Sequence, residues 1–210
     1  HIVVLHDPTL DRTADRKGDV RSMSLADVRA ADVSYPDKFG EHFSPQRVPT
    51  LDELLAFLKG RARVMVEIKK ESSRPDSDVF ERRIAAEIVK SGVRVSPDLE
   101  TEVAVLSFST QILERMAAVL PDAPRGHLFY RDPEDVIFAA AARVNALFIM
   151  PEKGHLSASL LERAKKNSLG VASWVCDDPA EFAELSKLNL LGIGTNRPEG
   201  MPGITPRVRA

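Results

Sequence analysis

The sequence predicts an α/β fold built on a parallel sheet, and three observations carry the prediction. Short apolar β-type runs recur along the chain. Amphipathic helical patterns, with apolar residues three and four apart, stand between them. The two alternate with no internal repeat, low-complexity tract or long linker. Successive βα units around a parallel sheet produce that alternation.

The first run is IVVLH (2–6), in which four apolar residues lead into His6 and Asp7. It reads as an interior strand whose end reaches the rim of a sheet, where α/β proteins place their chemistry. Residues 12–48 are the least regular part of the chain. They hold one short helical pattern, SLADVRAA, and a loop containing Pro, Gly and Asp, and read as a loop insertion of the kind that carries function. TLDELLAFLKG follows as a helix opened by a Thr50–Glu53 capping box. VMVEIK (64–69) is the second strand, and DVFERRIAAEIVKSG a helix that Gly92 stops. VAVLSFS (103–109) leads into STQILERMAAVL, capped by Ser109 or Thr110. HLFY (127–130) precedes PEDVIFAAAARV, and ALFIM (146–150) precedes SASLLERAKK, with Gly170 placed as a helix stop. GVASWVC (170–176) runs into DPAEFAELSKL, where Asp178 is the N-cap and Pro179 the first helical residue. LLGIGTN (190–196) is the seventh strand.

Composition sets the class. At 210 residues, 43% hydrophobic and with a net charge of -2, the chain reads as one soluble globular domain. A chain of this length buries roughly 70% of its unfolded surface, enough for one sizeable core without cross-links. Cys176 is the only cysteine, so no intrachain disulfide is expected. A lone thiol fits a reducing cytoplasm, the expected compartment, and is compatible with a periplasm or secretion. No apolar stretch approaches the roughly 20 residues of a membrane span. A near-neutral chain without a basic stripe has little grip on nucleic acid. No G-x-G-x-x-G turn follows a strand, so no organic cofactor is expected.

The polar residues at strand ends are the candidates for chemistry. Glu67 and Lys69 alternate with Val66 and Ile68, so both point to one side of their strand. If that side is interior, the two charges must be paired or must coordinate something. An isolated E-x-K also fits an ion pair at a solvated strand end. His6 fits either a proton-transfer group or a rim histidine satisfied by Asp7 or a carbonyl.

Taken together, the stretches VVLHDPTLDRT, VPTLDELL, VEIK, LSFS, ASWV and GIGTNRP resemble the glycerophosphodiester phosphodiesterase family, whose motifs occur in that order with similar gaps. The resemblance runs essentially end to end. H-D-x-x-L-D-R-T followed by P-T-L-x-E-L-L and E-I-K is its specific part. It implies a TIM-type (β/α)8 barrel of the PLC-like phosphodiesterase kind. VVLHD would be the return half of a hairpin above the barrel, and the other six runs would be barrel strands three to eight. Strands one and two, which carry the family's H-R-G and E-x-D, have no counterpart in the 210 residues. The chain is therefore read as an N-terminally truncated piece of a longer protein, since a barrel lacking two neighbouring strands exposes unpaired edges. On its own it is expected to be nearly inactive.

The chemistry follows from what an anionic phosphodiester demands: positive charge on its phosphoryl oxygens, a base for the attacking hydroxyl and an acid for the leaving oxygen. The resemblance implies a hard divalent cation, Ca²⁺ or Mg²⁺, held by carboxylates, with Glu67 as the matched ligand. Lys69 would contact the phosphate. His6 would be one of two histidines exchanging protons with the attacking and leaving oxygens, with Asp7 orienting it. Trp174 fits an apolar wall for the glycerol or alcohol group, or core packing. Ser107 and Phe108 read as structural, and Arg12 as steadying the hairpin or the loop. At the last strand the family's T-D is Thr195-Asn196, a departure at a position read as supporting. The implied activity, in the full-length parent, is hydrolysis of small glycerophosphodiesters to glycerol 3-phosphate and an alcohol in phospholipid degradation. A sphingomyelinase D-like enzyme, a phosphatidylinositol-cleaving enzyme and a non-catalytic relative are the alternatives.

Overall fold

Six of the seven β-type runs form strands, and each strand pairs with the next in chain order. The computed structural model describes residues 1–98 and 100–204; the expected domain, 1–210, takes in Leu99 and residues 205–210, which lie outside the described residues. Two compact units divide the chain: His1–Val64 with Glu71–Arg94, and Met65–Lys70 with Val95 onward.

The first unit holds α1 (Leu25–Arg29), α2 (Pro36–Phe39), α3 (Leu51–Leu58) and α4 (Val79–Ser91). Ser24 and Asp27 form a capping box on α1, and Thr50 and Glu53 form the expected one on α3. Such boxes satisfy amide donors that a helix start leaves open. The four-residue α2, with Pro36 at its first position, lies in the loop insertion and was not expected. Ile84, Ala85 and Ile88 fall on the buried side of α4, which ends at Gly92 in the left-handed region (φ 65°) as its sequence requires. Leu10, Val28, Ala31 and Val48 form one hydrophobic cluster of this unit, so the insertion packs against the first run through a small apolar centre.

IVVLH corrects the sequence reading, because it is not an interior strand. Val4 N–H donates to Pro49 O and Leu51 N–H to Ile2 O, each at 2.9 Å, around a single antiparallel bridge between Val3 and Thr50. With one short partner instead of two neighbours, the run is only partly covered. Ile2 is buried, Val3 and Leu5 pack on that apolar cluster, and Val4 is 37% exposed.

The second unit is the sheet. β1 (Val64–Glu67), β2 (Val103–Ser107), β3 (Arg125–Phe129), β4 (Phe148–Pro151), β5 (Gly170–Ser173) and β6 (Gly192–Ile193) lie side by side in that order. The ladders from β2 to β6 are parallel, with Val105 opposite Arg125, Gly126 opposite Phe148 and Ser173 opposite Ile193. Between strands run α5 (Thr110–Val119), α6 (Glu134–Arg143), α7 (Ala158–Lys166) and α8 (Pro179–Leu185). Ser109 caps α5, and Asp178 caps α8 by accepting from Glu181 N–H at 2.8 Å.

Because side chains alternate along a strand, the sheet has two apolar faces. Phe129, Ile149 and Val171 pack under Ile137, Phe138 and Ala141 of α6 and Leu160 and Ala164 of α7. Ala104, Leu106, Leu128 and Phe148 fill the opposite, inner face. Burial on both faces is what a helix-covered parallel sheet requires. Burying the Phe148 side chain alone stabilises the fold by about 1.5–3 kcal/mol.

Gly170 is a second correction. α7 ends at Lys166, and Ser168 (φ 56°) takes the left-handed turn that glycine was expected to supply. Gly170 instead opens β5, where a Cβ would lie 2.1 Å from Leu191 Cδ1. Its use is close packing.

Candidate functional site

Glu67 is the last residue of β1 and Lys69 lies two beyond it, at the carboxyl end of the sheet where parallel α/β folds bind ligands. Ile68 N–H donates to Leu106 O at 2.8 Å, and the Ser107 hydroxyl donates to Ile68 O at 2.8 Å. In a parallel ladder the first of these bonds sets Glu67 beside Leu106, on the inner face. Lys69 shares that parity. Its Nζ stands 2.8 Å from Glu67 Oε1. That oxygen is shielded from solvent and makes an ion contact with Lys69 rather than a directed hydrogen bond. A shielded carboxylate oxygen left short of hydrogen bonds at a strand end is suited to accept a cation.

The first unit places the other proton-transfer candidate. His6 Nδ1 lies 2.7 Å from Asp7 Oδ1, and the His6 side chain is 72% exposed. Arg12 grips the same carboxylate with both arms, Nε to Oδ2 at 2.6 Å and Nη2 to Oδ1 at 3.0 Å. The guanidinium first, and His6 second, hold the Asp7 pKa down at about 2. Asp7 thus stays ionised and orients the imidazole, while Arg12 fixes Asp7 and lies over the Tyr35 ring at 5.8 Å. Arg12 therefore acts on the histidine through one intermediary, a finer role than the steadying one expected for it.

Trp174 directly follows β5. Its Nε1 donates to Met150 O at 2.9 Å, and its ring rests on the inner apolar cluster. Its outer side meets Phe108 and Tyr130, each with ring centroids 5.6 Å away. Ser107 is buried and structural, as expected. Phe108, also read as structural, packs on Trp174 but is 44% exposed, because it lies one past the end of β2, above the packed layer. Tyr130, 57% exposed, was not anticipated. The signal was available, since Phe108, Tyr130 and Trp174 are each the first residue after a strand.

Two other features are set aside by their geometry. His127 is buried on the helix-covered face, where Thr110 Oγ1 is 2.9 Å from Nε2 and Leu128 O is 3.0 Å from Nδ1. Burial pushes its pKa down, and a neutral ring satisfies both contacts. A cavity of about 610 Å³ in the first unit is lined by Asp7 but not by His6, so its size does not mark the chemistry.

At the last strand, Thr195-Asn196 clasps Asp177. The Thr195 hydroxyl donates to Oδ1 at 3.0 Å, Asn196 N–H to Oδ1 at 2.7 Å, and Asn196 Nδ2 to Oδ2 at 2.8 Å. These bonds, led by the Asn196 side chain, lower the Asp177 pKa. An aspartate at position 196 would set a second carboxylate against Asp177.

Comparison with known proteins decides the family. The profile of the Glycerophosphoryl diester phosphodiesterase family matches residues 1–200. This chain belongs to that family. Among relatives, a glycerophosphodiester phosphodiesterase from Caldanaerobacter subterraneus subsp. tengcongensis is 28% identical over 95% of this chain and 78% of its own length. One from Bacillus subtilis is 24% identical over 94% and 70%. Among solved structures, a glycerophosphodiester phosphodiesterase from Agrobacterium tumefaciens superposes with a TM-score of 0.73 at 25% identity, over 94% of this chain and 78% of that one. A phosphodiesterase from Oleispira antarctica, solved with the product sn-glycerol-3-phosphate, shares the fold at a TM-score of 0.72 and 18% identity, over 92% and 74%. These neighbours are TIM barrels, so the six parallel strands of this glycerophosphodiester phosphodiesterase family chain, with their helices, are part of a TIM-type barrel.

The family is in general dependent on a divalent cation. Glu67 has the chemistry of one ligand to it. Among the described residues, however, no group of three or more His, Cys, Asp or Glu is placed to hold a metal. A hard cation takes about six to eight oxygen ligands. The described side chains therefore fit a part of such a site and not the whole of it.

Proposed function

We propose that the protein hydrolyses glycerophosphodiesters to glycerol 3-phosphate and an alcohol, with Ca²⁺ or Mg²⁺, in the breakdown of phospholipid-derived diesters. The observation that supports this reading most is the Glu67–Lys69 pair at the carboxyl end of β1, in a chain whose residues 1–200 match the family profile. An ion pair alone would satisfy the two charges, but their place on the inner face at the carboxyl end of the sheet also suits an anionic ligand. A phosphodiester is such a ligand, and its oxygens repel a nucleophile until cations neutralise them.

In this reading Lys69 donates a charge-assisted hydrogen bond to a phosphoryl oxygen, and Glu67 supplies one ligand to the metal and keeps the ammonium in place. His6 transfers a proton to or from an oxygen of the phosphate ester, its tautomer set by Asp7, since the ring nitrogen facing the carboxylate keeps its hydrogen. Trp174 forms an apolar wall for the organic part of the substrate. The phosphorus–oxygen bond to the alcohol breaks, the departing oxygen takes a proton, and water supplies the new phosphate oxygen and hydrogen. Glu67 being a single carboxylate, residues 1–210 by themselves are expected to be inactive or nearly so.

The test is release of glycerol 3-phosphate from glycerophosphocholine by the full-length protein, with Ca²⁺ and with Mg²⁺. Lys69→Met is expected to lower kcat/KM by about 100- to 1000-fold, and His6→Gln by about 100-fold or more. Turnover unchanged by either substitution, or no glycerol 3-phosphate with either metal, would overturn the assignment.

A further inference from the structure

Three exposed or half-exposed aromatic rings converge at one place on the sheet's rim. Phe108, Tyr130 and Trp174 directly follow β2, β3 and β5. By strand alternation each lies on the inner face, above Leu106, Leu128 and Ala172 respectively. The rings are inclined steeply to one another: Phe108 stands at 89° to Trp174 and Tyr130 at 60°, both with centroids 5.6 Å from it. Trp174 is locked. Its indole N–H is bonded to Met150 O, its backbone O accepts from Lys153 N–H at 2.9 Å, and Gly194 passes so close that a Cβ there would lie 3.3 Å from Trp174 Cβ. Phe108 and Tyr130 keep about half their surface in water although an apolar core lies directly beneath them.

We infer that Phe108, Tyr130 and Trp174 form a quaternary-ammonium site, and that it gives this protein a preference for a choline-type leaving group. This inference rests on the proposed glycerophosphodiester hydrolysis and specifies its alcohol. Rings set at steep angles present several π faces to one point, the arrangement that attracts a cation too bulky and too weakly hydrated to need hydrogen bonds. A neutral polar alcohol gains little there, because the ring faces offer it neither donors nor acceptors. Reach agrees with the assignment. Neighbouring strands are about 4.8 Å apart, and the phosphorus-to-nitrogen span of phosphocholine is comparable. A phosphate held by Lys69 beyond β1 therefore delivers its ammonium to the end of β2, the next strand along the sheet, where Phe108 stands with the Trp174 ring 5.6 Å away.

Trp174 is the only tryptophan in the 210 residues, so a change in its emission reports this site without turnover, and Trp174→Phe identifies its share of the signal. Titration with choline and with tetramethylammonium is expected to give a saturable change in Trp174 fluorescence. The neutral isostere 3,3-dimethylbutanol should give a much weaker one. Phe108→Leu and Tyr130→Leu should each weaken choline binding by about two- to fivefold and narrow the preference for glycerophosphocholine over glycerophosphoethanolamine by a similar factor. Both side chains are substantially exposed, so neither substitution opens the core. No saturable response to choline, or an equal response to the neutral isostere, would overturn the inference. Hydrolysis of both diesters at equal kcat/KM would overturn it and leave the proposed function standing. Choline binding that the two substitutions weaken, in a protein that cleaves neither diester, would support the cation site and overturn the hydrolase reading.

Discussion

Gly126, in β3, is the position where the packing of the inner face can be tested most sharply. A Cβ at this residue would lie 2.3 Å from Phe148 Cε2, 2.4 Å from Phe148 Cζ and 2.6 Å from Leu106 Cδ2. Phe148 is 2% exposed and Leu106 6%, so neither side chain has open space to enter. Gly126→Ala is therefore an overpacking substitution, expected to cost about 1–3 kcal/mol. At an unfolding entropy of about 2.1 cal/mol/K per residue, this chain should lose about 2 °C of Tm per kcal/mol, so the expected fall is about 2–7 °C by calorimetry. Phe148→Leu removes the two ring atoms in closest contact and alone should cost a few kcal/mol through the cavity it leaves. Combined with Gly126→Ala it should cost clearly less than the two single effects together, with a coupling of about 0.5 kcal/mol or more. A Gly126→Ala protein as stable as the parent, or a strictly additive pair, would refute the claim that this glycine exists to admit the Phe148 ring.

Two further predictions concern charge. Asp7→Asn removes a carboxylate whose pKa is held at about 2, down from the ordinary aspartate value of 3.8. The shift corresponds to at most about 2.4 kcal/mol, and solvent screening of the half-exposed Arg12 reduces it to about 1 kcal/mol. This contribution is fully present above pH 3.8 and is lost as pH falls through about 2. The stability gap between parent and Asp7→Asn, followed by denaturant unfolding, should therefore be constant near neutrality and close in acid; a gap that persists unchanged at low pH would contradict the carboxylate's role. Asn196→Asp replaces a donor to Asp177 with a second carboxylate. One of the two carboxyls must then have a raised pKa, so the variant should lose stability relative to the parent as pH rises through the ordinary carboxylate range, measured as Tm against pH. Equal pH profiles would show that the Asn196 amide does not matter to Asp177.

Local rules made most of the fold legible. Thr50 and Glu53, Ser109, and Asp178 with Pro179 mark helix starts by chemistry confined to four residues, and the structure uses each as the sequence proposes. The failures occur where a partner distant in sequence decides the outcome. IVVLH has the composition of an interior strand, but burial depends on neighbours, and its neighbour is a single bridge to Thr50. Gly170 looks like a helix stop because glycine at that spacing usually is one. The approach of Leu191, invisible in the local sequence, is what requires it. Glu67 and Lys69 stand out by alternation, whereas the shielding of Glu67 Oε1 from solvent is not visible in the sequence.

Phe108 shows why the candidate site was only half legible. Along β2, Ala104 and Leu106 point inward and are buried, and Phe108 continues their parity, so pattern alone assigns it to the same core. The pattern carries no information about where the packed layer ends. That is set by the height of the neighbouring strands, with Leu128 and Phe148 filling the last layer and Trp174 closing over it. One position further along the same parity, an identical apolar side chain stops stabilising the core and becomes surface that a ligand can cover. On the inner face of this sheet, stability and recognition thus differ by two residues of strand length. A one-residue shift of β2 would turn Phe108 away from Trp174 and remove one wall of the proposed cation site, while Gly126 and Phe148 would keep their contact in the layer below.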